Sequence, residues 1–247
     1  MTGYIPSDEN CLGIYCDGAS LKAVKASQNR GKIVLGEWLE TAILPEKKDV
    51  NPLYIDQELV RLRNLSRQVL SIGAIPGADC LLRRLKLKLT KQKDIDEAFL
   101  FQAEPLLPYP VEGAVLGKWT TEQREEGTTL AFASVKGEEV GRYLELYGKW
   151  GVDPEAITIE PLALAALAQF FGENKSLELI VDFGKKTILC ALLKEGKLIA
   201  SHTIAYGWND LYEAQSQELS VQDFFSKPIQ EGEKLTTILQ LLEWNAI

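Results

Sequence analysis

The stretch that decides the architecture is CLGIYCDGASLKAVKASQNRGKIVLGEW, residues 11 to 38, taken with LELIVDFGKKTILCALLKEGKLIASHTIAY, residues 177 to 206. Each is three apolar runs separated by two short turns. In the first, a small-residue turn follows Cys16 and Asn29-Arg30-Gly31 makes the second turn. In the second, the turns are Gly184-Lys185-Lys186 and Lys194-Glu195-Gly196. The same β-meander is therefore expected twice. Each copy leads into a helical pattern: Asp56 to Leu70 carries Leu59, Leu62, Val69 and Leu70 near helical spacing, and Trp208 to Glu218 is a weaker candidate.

Further elements lie between the copies. Gln68 to Ile75 reads as a strand stopped by Pro76-Gly77, and Cys80 to Leu89 contains the alternation R-L-K-L-K-L, a strand with one apolar and one cationic face. Ile95 to Leu107 reads as a helix, Thr128 to Val135 as a strand, Glu138 to Trp150 as an amphipathic helix and Ala156 to Ile159 as a short strand. Pro161 to Phe171 is a helix, apolar almost all round, with proline in its first turn. Helices of that kind are interior, so Leu162, Leu164, Leu167 and Phe170 are expected in the core, with Leu167→Ala costing about 2 to 5 kcal/mol. The fold class is α/β, or α+β, with an insert inside its first half.

Composition closes several functions. The 247 residues carry 35 acidic and 27 basic side chains, net −8, so no domain-wide basic field neutralises a phosphate backbone, and nucleic acid is not an expected partner. One histidine, His202, leaves little for a His-dependent metal site or triad, and Cys11, Cys16, Cys80 and Cys190 make no zinc pattern. The start lacks a basic region followed by a long apolar one, and no run of about 18 apolar residues occurs. A cytoplasmic chain without a membrane span is expected. The helical-looking Lys234 to Trp244 stops at Asn245-Ala246-Ile247 without a cap, and the expectation is that the natural chain continues past Ile247.

Two β-β-β-α units with a tight turn after the first strand are the plan of the actin-like ATPases, whose paired hairpin turns grip a nucleotide's phosphates. Backbone N–H groups converging in such turns bind anions, although D-x-G between apolar runs also occurs in ordinary hairpins. The chain resembles the PilM family of type IV pilus assembly proteins and the cytoplasmic region of GspL of type II secretion, both related to the cell-division protein FtsA. The resemblance is carried by LGIYCDGASLKAVK (12 to 25), IPGADCLLRRLKL (75 to 87), FLFQAEPLLPYP (99 to 110), YLELYGKWGVDPEAITIEPLALAAL (143 to 167) and LIVDFGKKT (179 to 187). It covers about residues 11 to 210, and the order and spacing of the motifs carry it more than any one of them. It implies a first actin-like subdomain over 1–78 and 153–173, an inserted FtsA-type subdomain over 79–152, and a second actin-like subdomain over 174–247.

Within that resemblance the nucleotide turns depart from pattern. ATP-binding members open the first turn with D-x-G-x-x-x-x-K, the aspartate positioning magnesium and the lysine touching phosphate. Aligned on Lys22, this chain has Tyr15 at the aspartate and Asp17 at the glycine. A phenol is a poor substitute for a carboxylate around Mg²⁺, and the Asp17 carboxylate repels phosphate. The other register pairs Asp17 with the aspartate, but then Ala19 replaces the glycine and the lysine spacing is lost. The second turn keeps D-x-G-x-x-T as Asp182, Gly184 and Thr187, and no glycine-rich adenosine motif follows Ile204. Lys22, Asp182, Gly184 and Thr187 are thus residual phosphate-turn residues; no cofactor is expected, with Mg-ATP confined to the alternative below. Asp182 as a simple turn cap is the competing reading.

Arg83, Arg84, Lys86, Lys88, Lys91 and Lys93 put six cations into residues 83 to 93 with no acid among them. Alternation sets Arg84, Lys86 and Lys88 on one face against Leu85, Leu87 and Leu89 on the other. Such a face is either solvated, blunting a sheet edge, or a docking strip for an acidic segment or an anionic leaflet. In PilM-like proteins the cleft beside the inserted subdomain receives a short peptide of a bitopic membrane subunit. The resemblance therefore implies partner contacts near Leu81 to Leu107, with Arg84, Lys86, Lys88 and the corner of Glu104, Pro108 and Tyr109 as candidates. The expected function is a non-catalytic cytoplasmic scaffold at the bacterial inner membrane, in a type IV pilus or type II secretion platform. Its expected partners are the cytoplasmic segment of a bitopic inner-membrane subunit and an assembly ATPase. The alternative is an active actin-like ATPase using nucleotide to control polymerisation or partner exchange.

Overall fold

The computed structural model describes residues 10–16, 20–29, 32–42, 52–67, 69–171 and 176–210. The first meander is β1 (Asn10–Cys16), β2 (Ser20–Asn29) and β3 (Lys32–Ala42), each antiparallel to the last. Helix α1 (Pro52–Ser66) carries the chain back so that β4 (Leu70–Ile75) pairs parallel to β1. Leu12, Ile14 and Cys16 alternate into the core from β1 while Gly13 and Tyr15 point to the other face. The sheet is completed by β8 (Ala156–Ile159), parallel to β4, giving the order β3-β2-β1-β4-β8.

The insert between β4 and β8 comprises β5 (Leu81–Leu87), α2 (Gln92–Ala103), β6 (Ala114–Arg124), β7 (Gly127–Lys136) and α3 (Gly137–Lys149). Its strands form an antiparallel sheet in the order β5-β7-β6. Ile95, Phe99 and Ala103 recur at every fourth position of α2 and pack on Leu85, Leu87, Leu130 and Phe132, a core of the insert's own. The other face of that sheet joins the first core through Ala133 and Val135, where α3 adds Tyr143 and Tyr147. Tyr147 donates its hydroxyl to the Ala74 carbonyl at 3.0 Å, and Tyr143 donates to Asp79 at 2.6 Å. Gly73 makes room for this docking: a Cβ there would lie 2.6 Å from the Tyr147 ring.

After α4 (Glu160–Phe171), the second meander is β9 (Leu177–Phe183), β10 (Ile188–Lys194) and β11 (Lys197–Ile204), in the order β11-β10-β9. Glu195 and Gly196 both have positive φ, the requirement of a tight two-residue hairpin turn of this hand. The fold is mixed α/β with the repeated meander, as the sequence predicts. Asn29 to Gly31 as a whole turn, most of the Trp208 to Glu218 candidate and the Lys234 to Trp244 stretch lie outside the described residues.

Two expectations need correction. Sequence periodicity yields no strand over Ala114–Arg124, yet β6 is there; its second half, Thr120-Thr121-Glu122-Gln123-Arg124, lacks apolar alternation and is placed by its pairing to β7. Helix α4 is not interior all round. Its buried stripe is Pro161 and Ala165, with Leu162, Leu164 and Ala168 half-buried, whereas Leu167 is 49% and Phe170 43% exposed. Small residues make the close approach to the strands, so the large ones turn outward. Leu167→Ala is accordingly expected to lower stability by only about 0.5 to 1 kcal/mol, which a denaturant midpoint measures.

Candidate functional site

Residues flanking the first turn, and those of the second, make contacts of their own. Tyr15 donates its hydroxyl to Glu160 Oε1 at 2.6 Å, and the Gly77 amide donates to Glu160 Oε2 at 2.7 Å. Glu160 opens the first turn of α4, where the helix N-terminus favours a carboxylate. Burial, with the Glu160 and Asp79 carboxylates beside it, pushes the Cys80 thiol up to about 12. The sequence pattern starts the helix at Pro161 and does not single out Glu160; the available signal is an acid between a four-residue strand and a helix-initiating proline.

Lys22 is exposed on β2, opposite Tyr15 on one side and Glu40 on the other. Glu40 in turn pairs with Lys185 at 3.5 Å, a link from the first sheet to the second hairpin. In that hairpin the Gly184 amide donates to the Thr187 carbonyl at 2.8 Å. The Gly184 and Lys185 carbonyls accept from the Trp208 and Asn209 amides, each at 3.0 Å. Gly207 allows the close approach, since a Cβ there would stand 2.5 Å from the Lys185 carbonyl. Asp182 is exposed at the end of β9 and Thr187 is half-buried. Gly184's N–H is thus spent within the turn. Asp17 and Ala19 lie outside the described residues. Among the described residues no group of three or more His, Cys, Asp or Glu side chains converges as a metal site.

A second feature is a groove of about 1000 Å³ between the insert and the first sheet. One wall is the edge strand β6 from Val115 to Thr120, the other the edge strand β8 at Ile157, Thr158 and Ile159, with Val140 and Leu162 behind. Val115 is 51% exposed. Trp119 is fixed by donating its indole N–H to the Leu198 carbonyl at 2.8 Å. At one end Lys118 pairs with Asp96 at 2.6 Å and lies over the Phe99 ring; the hydrogen bond from Lys118 holds the Asp96 carboxyl below its ordinary range. Of the stretch Leu81 to Leu107, only Gln92 and Asp96 line this groove. Its other walls come from strands that lie outside the stretch the sequence singled out.

The remaining candidates are placed elsewhere. Glu104 and Pro108 are exposed in the corner after α2, and the Tyr109 hydroxyl lies 2.8 Å from Ser134 Oγ with Lys136 near its ring. Arg84 and Lys86 are exposed on one face of β5, Leu85 and Leu87 buried on the other, and Lys88 is exposed just beyond the strand. Arg84 and Lys86 border a shallow depression with Glu122, Arg124 and Glu126. Arg124, hydrogen-bonded to Glu122, and the charges of Lys194 and Arg84 hold that carboxyl below its usual range.

The sequence matches no family model and no curated protein. Among solved structures, the PilM-PilN type IV pilus biogenesis complex superposes with a TM-score of 0.66 at 21% identity, over 88% of this chain and 68% of that one. The cytoplasmic domain of EpsL, an inner-membrane component of the type II secretion system of Vibrio cholerae, follows with a TM-score of 0.55 at 11% identity, over 86% of this chain and 78% of that one. The fold is that of PilM and EpsL. It is an actin-like ATPase fold, with the meander present as β1–β3 and again as β9–β11. No helix among the described residues is long and apolar enough to cross a membrane.

Proposed function

We propose that the chain is a non-catalytic scaffold of a type IV pilus or type II secretion assembly platform at the bacterial inner membrane. In this reading the groove between β6 and β8 holds an extended cytoplasmic segment of a bitopic membrane subunit, and the platform also meets its assembly ATPase. The observation that carries the reading is the groove itself. Both walls are strand edges offering backbone hydrogen bonds to an extended chain, and its apolar lining takes alternate side chains. That PilM is solved in complex with PilN supports a protein partner for this fold. The non-catalytic part is supported by the Tyr15–Glu160 bond, the Lys185–Glu40 pair and the inward-turned Gly184 amide.

Val115→Arg puts a charged side chain at the apolar groove wall from an exposed position, so the fold is expected to hold. Co-purification from detergent-solubilised membranes of the native host tests the reading. Wild type is expected to recover a bitopic inner-membrane subunit and the variant at least about tenfold less, the size of one lost hot-spot contact. Equal recovery by both moves the partner out of the groove, and recovery of no membrane subunit by either sinks the scaffold.

A further inference from the structure

The inserted sheet has a second open edge, opposite the groove. We propose that the outer edge of β5 docks an extended acidic segment of a partner protein, one in which carboxylates alternate with apolar side chains, added to the sheet as a fourth strand. In the order β5-β7-β6 the strand β5 is terminal, with no strand hydrogen-bonded to its outer edge among the described residues, although β11 passes close to it. Its two faces differ sharply. Leu85 and Leu87 are buried with Ile95 and Phe99 under α2, while Arg84 and Lys86 are exposed on the opposite face and Lys88 continues the alternation. None of these three cations forms an ion pair among the described residues; nearby Glu122 is engaged by Arg124 and Lys194.

Cations on a free edge keep copies of the same chain from pairing, because like edges repel. The same charges select a strand of opposite sign. Side chains of an added strand alternate in phase with those of β5. Every second one therefore lies beside Arg84, Lys86 or Lys88, and the intervening ones lie on the side of Leu85 and Leu87. Backbone bonds then supply affinity and the alternation supplies selectivity. A lipid surface is the weaker fit, since the depression that holds Arg84 and Lys86 also presents Glu122 and Glu126, which a continuous anionic plane meets together with the cations. This edge goes beyond the groove and rests on different residues.

The test uses the whole chain, isotopically labelled, and a synthetic peptide of about eight residues alternating Glu and Val, the length of an ordinary strand. Comparison probes are a peptide of the same composition in two blocks, an alternating peptide with N-methylated backbone, and phosphatidylglycerol vesicles. The alternating peptide is expected to perturb and protect the amides of Leu85 to Leu87, and to bind more weakly as salt rises. Combined Arg84→Glu, Lys86→Glu and Lys88→Glu is expected to weaken it by at least about tenfold. Val115→Arg is expected to leave it unchanged, so failure here and failure of the groove are distinguishable. Equal binding of the block or N-methylated peptide overturns strand addition, as does binding to vesicles alone or to none of the probes. Should the triple variant unfold, the N-methylated peptide and the salt series on the wild type still decide.

Discussion

Tyr15→Asp, which writes a carboxylate into the position where nucleotide-binding relatives are expected to carry one, is expected to destabilise the folded chain by about 2 to 4 kcal/mol and to restore nothing. The tyrosine hydroxyl is a donor to Glu160 at 2.6 Å, and a hydrogen bond to a charged group contributes about 1.5 to 3 kcal/mol. Aspartate removes that donor and sets a second negative charge near the first. The like-charge neighbour raises the folded-state pKa of the new carboxyl above its unfolded value. A raised pKa stabilises below the unfolded value and loses that contribution as pH rises, so the deficit against wild type should be widest near about pH 8 and narrow toward about pH 5. Urea midpoints across that range measure it, and Tyr15→Phe, losing the bond without adding charge, should show a smaller deficit with little pH dependence. Neither wild type nor Tyr15→Asp is expected to bind Mg-ATP more tightly than about 1 mM by calorimetry, because Lys185–Glu40 and the spent Gly184 amide remain. Micromolar, magnesium-dependent affinity of the wild type, abolished by Asp182→Ala, would replace the scaffold reading with an active ATPase.

Tyr147→Ala should cost about 3 to 5 kcal/mol, the range for truncating a large buried aromatic. The ring is 0% exposed, packs beside Tyr143 and Trp150, and carries the hydroxyl that reaches the Ala74 carbonyl. Its place at the junction of α3 and the first sheet gives the loss a functional signature. Val140 on α3 and Ile157 on β8 both line the groove, and Ile157 also stands against the space over Gly73 that Tyr147 fills. Partner recovery through the groove should fall with stability in Tyr147→Ala, whereas Tyr147→Phe should keep the groove and lose only about 1 kcal/mol. Full partner recovery by Tyr147→Ala at a temperature where it is folded separates the groove from the α3 junction.

The duplicated meander was legible because it is local. Apolar runs of one length broken by turn residues announce strands, and Glu195-Gly196 has a backbone that its sequence predicts. The cationic alternation of β5 was legible for the same reason, its period of two surviving intact in Arg84-Leu85-Lys86-Leu87. The groove was not, because its walls lie some 40 residues apart in sequence, at Val115–Thr120 and Ile157–Ile159, and β6 carries little periodicity. Glu160 escaped for a related reason. Its partners, Tyr15 and Gly77, are 145 and 83 positions away, and no spacing rule reaches that far. The outward turn of Leu167 and Phe170 shows the limit of composition: an apolar helix states that it can be buried, not on how many sides.

The interruption of the first sheet has a consequence for how the chain comes into being. Strand β4 ends at Ile75 and the strand that pairs with it, β8, begins at Ala156, so during synthesis the outer edge of β4 waits while the whole insert emerges. The insert has its own core around Leu85, Phe99 and Phe132 and is equipped to form first, as local contacts precede distant ones. Helix α3 then reaches Gly73 and Ala74 through Tyr147 before β8 exists, screening one face of the waiting strand. Pairing of β8 and arrival of Glu160 at Tyr15 close the circuit last. A nascent chain from which Trp150 has emerged while Glu160 is still inside the ribosome therefore holds an unpaired parallel edge, the kind of intermediate on which aggregation and chaperone capture compete.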